Sequence, residues 1–411
     1  MRFITIVGRS LIKPETSLFT SLAGCNIKLF TREISAKRRK MENKPNYDVV
    51  LSQESLDMIV SYKNDLFASK AKPGTYLKKV LDARKSLLDQ TSAEKFVEYM
   101  LLTKKPKVYA TEEIRVDGTD WNETEFQILG DLNIAMNVEI YDNGVWDPNE
   151  PAFRVHNPPL NGALLFTNGP LLRSRSVVGM TPDLKQIISG DDIDQDKYNR
   201  LVERRLVPLL CYANENSKKD NQRALVTIPG LGCGVFAGKF LGQMGQHLNQ
   251  ALQNILKKHA KNYDNIACIY FDPHRECTNE TQQFDRVSYR VRPASQNNGR
   301  SQLCKPNEYE EDGDDFSDCK LHKVVAWDHL AFPGNSYFVE HRWTDDGVVG
   351  AATNSMRVIT GSKGIYDNGD YFPPEGYENW KEVVDKNQII LRAKDNVKVA
   401  TADGLLIDLK E

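Results

Sequence analysis

Two stretches of this 411-residue chain carry residue types that could do chemistry together. The first is Ile228-Pro229-Gly230-Leu231-Gly232-Cys233-Gly234-Val235-Phe236-Ala237-Gly238, between an apolar run at 224–228 and a helical pattern at 239–258. Glycines there let the chain turn tightly and bring backbone N–H groups close to an anion, and a following helix N-terminus adds partial positive charge. The spacing points to phosphate binding. A tight strand-to-helix turn without a ligand is the plainer alternative. No Gly-Lys-Ser/Thr follows, so this is not a P-loop. Gly232, Gly234 and Ala237 satisfy the loose Gly-x-Gly-x-x-Ala dinucleotide pattern. The acid such a site wants is Asp272, 38 residues after Gly234 rather than the usual ~20.

The second stretch is Trp327-Asp328-His329-Leu330-Ala331-Phe332-Pro333-Gly334-Asn335, then Arg342-Trp343-Thr344-Asp345-Asp346-Gly347-Val348. An aspartate at the carboxyl end of a buried strand is where open α/β sheets hold site residues. Asp328 there reads as a general base, a clamp on a ribose hydroxyl or adenine amine, or the cap of its own turn. Thr344-Asp345 reads as the N-cap of a helix whose small residues 350–352 permit close packing. Upstream lies an acid run: Glu308, Glu310, Glu311, Asp312, Asp314, Asp315 and Asp318. Its first half reads as a solvated loop, whereas Asp318 immediately precedes the apolar strand. Cys233 could gain acidity at a helix N-terminus, but it has no evident His partner and reads as loop packing. The seven histidines show no metal-ligand spacing, and the seven cysteines form no CxxC pair, so no metal is expected.

The elements that position these residues are partly legible. Apolar runs at 138–141, 163–166, 224–228, 266–271, 287–291 and 323–327 read as strands, several buried on both faces. Helical patterns fall at 196–214, where Pro208 is expected to kink or split the helix, and at 239–258. Residues 48–110 read as a helical lead-in or cap. The alternation predicts an α/β fold, and the boundaries expected are a basic tail (1–41), a helical lead-in (42–120) and an α/β domain with an irregular C-terminal extension (121–411). The first forty residues carry nine Lys/Arg against two Glu, a net +7 that leaves −9 for the rest. They read as a mobile tail or, alternatively, as an organelle-targeting segment. A net charge of −2 gives no support for a nucleic-acid binder, and no apolar run is long enough for a membrane span.

Together, the Gly-rich loop and the 325–348 stretch resemble the macrodomains. The loop is similar to the diphosphate loop of macrodomains and poly(ADP-ribose) glycohydrolases. Its pairing with the Asp328 segment resembles the narrower group of Legionella-type effector macrodomains that act as ADP-ribosylhydrolases. The likeness covers about residues 120–360. It implies a three-layer α/β/α sandwich with ADP-ribose in a cleft. Gly230, Gly232, Cys233, Gly234, Val235 and Phe236 would cradle the diphosphate and distal ribose. Asp328, as base or ribose anchor, and Asp318, as its partner, would flank the scissile bond, with Asp345 and Asp346 in reserve. Asn335 and Asp131 are further ligand contacts, Asp131 toward the adenine. The substrate implied is protein-linked ADP-ribose, on arginine and with ubiquitin as the modified protein; no cofactor is implied, and the setting is the cytoplasm of a host cell. One departure stands out: the Asn-rich strand end followed by Gly-Gly-Gly is missing before the loop, and the Phe332–Asn335 and Asp346–Val348 pieces come after it instead. A non-catalytic ADP-ribose reader, an NAD-dependent enzyme and a protein-interaction module are the alternatives.

Overall fold

The computed structural model describes residues 44–84, 88–108, 115–173, 180–296 and 298–409. The basic tail and its targeting reading lie outside the described residues.

A ten-stranded sheet forms the middle layer. Its strands are β1 (Asp48–Ser52), β2 (Asn133–Asp142), β3 (Val155–Asn168), β4 (Arg223–Pro229), β5 (Ile266–Asp272), β6 (Glu280–Phe284), β7 (Val287–Val291), β8 (Cys319–Trp327), β9 (Val397–Ala400) and β10 (Leu406–Asp408). They lie in the order β10-β9-β1-β2-β3-β8-β4-β5-β7-β6. Strands β3, β8, β4, β5 and β7 run parallel to one another. Their carboxyl ends, Asn168, Trp327, Pro229, Asp272 and Val291, therefore share one edge. These strands read as continuous apolar runs because both faces are covered. Side chains alternate between two hydrophobic clusters: Leu225, Cys268, Leu321 and Val325 face one, and Val226, Ile269 and Val324 face the other.

Helices α1 (Gln53–Phe67), α2 (Thr75–Arg84), α3 (Ala93–Leu101) and α4 (Glu123–Asp131) cover the first face. Helices α5 (Pro182–Ile187), α6 (Gln195–Lys219) and α7 (Met244–His259) cover the second. Helices α8 (Asp345–Ala352), α9 (Ser355–Thr360) and α10 (Trp380–Asn387) return to the first. The result is the expected three-layer α/β/α sandwich.

Two expectations need correction. Residues 48–52 are a strand: Val49 and Val50 face opposite clusters, as a two-residue period requires. Pro208 does not split helix α6, which continues from Gln195 to Lys219 with the proline buried inside it. Residues 45–411 form one compact unit, to whose sheet β1 contributes a strand.

A buried ionic chain ties the layers together. Asp131, at the end of α4, accepts from Ser55 Oγ at 3.2 Å, Arg204 Nε at 2.5 Å and Arg205 Nε at 3.0 Å. Arg205 also donates to Asp183 from Nη1 at 3.0 Å and Nη2 at 2.7 Å. Asp183 in turn meets His329 Nε2 at 3.0 Å. All three acidic or basic centres, Asp131, Arg205 and Asp183, are buried. Removing the central cation takes an ion-pair partner from both buried carboxylates, leaving Asp131 to Arg204 and Ser55 and Asp183 to His329. Arg205→Ala is expected to lower the unfolding free energy by about 3–5 kcal/mol, measured by urea denaturation.

Candidate functional site

The cleft lies at the shared carboxyl edge of the parallel strands. Asn168 ends β3, Pro229 leads into the Gly-rich loop, Asp272 ends β5 and Trp327 ends β8. A cavity of about 850 Å³ opens there. It is lined by Gly230, Gly232, Cys233, Gly234, Val235 and Phe236 from the loop, by Asp328 and Asn335, and by Trp343, Asp345 and Asp346. Ten of the twelve expected site residues are thus together. Asp318 and Asp131 are elsewhere.

Asp318 precedes β8, whereas Asp328 follows it. Nine residues of strand separate them, roughly 30 Å at about 3.3 Å per residue. Asp318 is clamped by Arg223, with Nε at 2.8 Å and Nη2 at 2.6 Å, at the far edge of the sheet. These hydrogen bonds hold its carboxyl below its ordinary range. Ten residues of sequence look close only if the chain between them folds back, and here it is fully extended. Asp131 is buried and committed to Arg204, Arg205 and Ser55, so it cannot reach an adenine in the cleft.

The Gly-rich loop is held by close packing. Gly232 has φ +73°, and a Cβ there would come within 2.9 Å of the Pro170 carbonyl. Only glycine suits both demands. The amides of Gly232 and Gly234 have no hydrogen-bond partner among the described residues, and nothing lies within 4 Å of a Cβ placed on Gly234. Both amides are unpaired among the described residues, and at Gly234 the backbone faces open space, as an anion requires. The long helix does not begin at the loop. A short 3-10 helix, Val235–Phe240, intervenes before α7. A dinucleotide fingerprint needs the long helix at the loop, and it needs a free acid after the next strand. Asp272 instead caps its own turn, accepting from the His274 amide at 2.7 Å and the Ala294 amide at 2.9 Å. The NAD-enzyme alternative loses both supports. Burial pushes the Cys233 thiol up, so it is not a thiolate nucleophile.

Opposite the loop stands a pair of carboxylates. Thr344 caps α8 as expected, its Oγ1 accepting from the Gly347 amide at 3.0 Å. That places Asp346 in the first turn, buried, with Oδ1 accepting from Thr344 Oγ1 at 2.6 Å and Oδ2 without a partner. Asp328 Oδ2 accepts from Asn335 Nδ2 at 2.6 Å. Asn335 Oδ1 is held by the Val108 amide at 2.6 Å. Burial, then the neighbouring Asp346, push Asp328 up to about 8, against the pull of Lys104 and Asn335. Burial raises Asp346 to about 6. Asp345 is turned to structural use: its Oδ2 accepts from the Ala326 amide at 2.6 Å, and Lys323 Nζ lies 3.4 Å away. His329 stacks on Phe126 at 4.3 Å between centroids and faces Phe236 at 6.3 Å.

A second cavity of about 580 Å³ adjoins the first and shares Trp146, Gly230, His274, Ala326 and Asp345 with it. Its lining includes Thr227, Tyr270 and Gln302, whose Oγ1, hydroxyl and Oε1 are buried without partners. These residues had no motif around them: Thr227 and Tyr270 are polar interruptions in apolar strands, which was the one available signal. Lys104 was likewise missed, because Lys104-Lys105-Pro106-Lys107 reads as a solvated basic run. Among the described residues, no group of three or more His, Cys, Asp or Glu could hold a metal ion.

The family described as the macrodomain effector MavL matches residues 47–377. The chain belongs to that family. The match begins at β1 and takes in the lead-in helices, the Gly-rich loop and the acidic pair. No curated protein matches the chain. Among the described residues, no helix is long and apolar enough to cross a membrane.

The elevated proton affinity of Asp328 has a thermodynamic consequence. The folded state keeps its proton to about pH 8, while an unfolded Asp loses it near 3.9. Between those values the native state binds more protons, so this group's contribution to stability falls as pH rises and levels off above 8. Asp328→Asn, which keeps an acceptor for Asn335, is expected to stabilise the protein at pH 8 by about 1 kcal/mol or more. The gain should vanish near pH 4. Denaturant melts of parent and variant at both pH values measure it.

Proposed function

We propose that this macrodomain hydrolyses ADP-ribose from mono-ADP-ribosylated protein, linked through arginine, with ubiquitin as the modified protein. The observation that carries the reading is the buried pair Asp328 and Asp346, raised to different degrees and facing a loop of free amides. Two carboxyl groups whose environments separate their proton affinities are suited to acid and base roles.

The diphosphate docks on the amides of Gly232 and Gly234, and Phe236 walls the distal ribose. The adenosine end enters the adjoining cavity, where Thr227, Tyr270 and Gln302 gain the partners they lack. At neutral pH Asp328 holds a proton and Asp346 is ionised. Asp328 donates that proton to the departing guanidine nitrogen as the bond from the anomeric carbon breaks. The Asp346 carboxylate stabilises the oxocarbenium-like charge and takes a proton from the attacking water. The new bond joins the water oxygen to the anomeric carbon. Free ADP-ribose and unmodified arginine leave, and one water is consumed. As an effector, the protein would act inside a host cell after secretion.

Incubation with arginine-mono-ADP-ribosylated ubiquitin, followed by mass spectrometry for free ADP-ribose, tests this. Release by the parent is expected. In Asp328→Ala and Asp346→Ala the rate should fall by about 100-fold or more, with ADP-ribose binding retained by calorimetry. Asp318→Ala should stay close to the parent. Binding without release would instead mark a reader, and full activity in Asp328→Ala would remove that residue from the chemistry.

A further inference from the structure

The segment that joins α3 to the rest of the fold is built into the wall of the cleft. The Lys105 amide donates to the Leu330 carbonyl at 2.8 Å, and the Phe332 amide donates back to Lys105 at 2.6 Å. Val108 brackets the Asn335 side chain through both its N–H and its C=O. Lys104 lies inside this strap, 3% exposed. Its ammonium donates to the His329 carbonyl and, at 3.3 Å, to the Leu129 carbonyl, and sits 4.0 Å from the centre of the Trp327 ring. No carboxylate lies within ion-pair distance of it among the described residues. The residues it grips, Trp327 and His329, flank Asp328 on both sides.

A buried lysine is costly unless its charge is used. Carbonyl oxygens and an indole face are what an ammonium, rather than an amine, prefers. Around Asp328 the other charged groups are Asp346 and Asp345 on α8, with Lys323 engaged by Asp345. His329 is held by Asp183 and Arg205 behind it, and His274, Arg275 and Glu276 lie across the cavity. Burial holds the Lys104 ammonium well below the ordinary lysine range, and an ionised Asp328 pulls in the opposite direction.

We propose that Lys104 is a positioning residue for Asp328: from the lead-in segment it fixes the Trp327–His329 turn and supplies a buried positive charge behind Asp328. The consequence for catalysis rests on the hydrolase reading; the effect on Asp328 does not. Without that charge Asp328 would hold its proton to higher pH. The helical lead-in thereby sets the chemistry of a site formed on the sheet.

The direct test follows the Asp328 carboxyl carbon by NMR titration in the full chain, with Asn at 328 used for assignment. Lys104→Gln keeps hydrogen-bond donors and drops the charge; Lys104→Arg keeps both. The midpoint is expected to rise by about one pH unit or more in Lys104→Gln and to stay near the parent's in Lys104→Arg. The alkaline limb of the rate profile should move up with it. An unchanged midpoint in Lys104→Gln overturns the proposal, as does a merely lower melting temperature with no shift. Should Lys104→Gln fail to fold, the parent's own Lys104 15Nζ resonance at pH 7 decides: an ammonium is expected, and a neutral amine overturns it. If the parent showed the titration coupling but no turnover, the hydrolase reading would fall and the Lys104 assignment would stand.

Discussion

Keeping two carboxyl groups side by side in a dry wall is the constraint on which this cleft depends. Each would rather be in water, and each disfavours ionisation of the other. The fold meets that demand with groups drawn from distant parts of the chain. Asn335 holds Asp328 and is itself held by Val108. Thr344 holds one oxygen of Asp346 and leaves the other open. Asp328 follows β8 and Asp346 lies in α8, while the support of Asp328 runs through Asn335 to Val108 in the segment after α3.

The same logic extends one layer back. His329 follows Asp328 in sequence and ends a buried chain through Asp183 and Arg205 to Asp131. Arg205 and His329 overcome the penalty of burial and hold the Asp183 carboxyl well below its ordinary range. An ionised Asp183 anchors one ring nitrogen of His329, and Phe126 stacks on the ring. The turn carrying Asp328 is consequently gripped from the helical layers on both sides of the sheet. Rigid support of this kind lets a protein hold a proton where water would remove it.

Much of this arrangement was legible in the residues. Continuous apolar runs located the parallel strands because burial on both faces leaves no polar positions. The glycines at 230, 232 and 234 announced an anion loop, and Thr344-Asp345 announced α8. What failed was distance. Asp318 and Asp328 are ten apart, and a sequence does not say that the chain between them is a single extended strand. Asp131 looked available because a lone acid carries no mark of its partners, here Arg204 and Arg205. Lys104 looked solvated because a cluster of lysines ordinarily is. Only the tertiary fold turns one of the three inward, and β1 was hidden because its five residues merge into the helical pattern that follows.

A crystal structure of Asp328→Asn with ADP-ribose bound would test the central claim most directly. The account predicts the diphosphate on the amides of Gly232 and Gly234, the anomeric carbon between residue 328 and the free oxygen of Asp346, and the adenosine end beside Tyr270. ADP-ribose lying with its distal ribose away from Asp346, or bound outside the cleft, would contradict it.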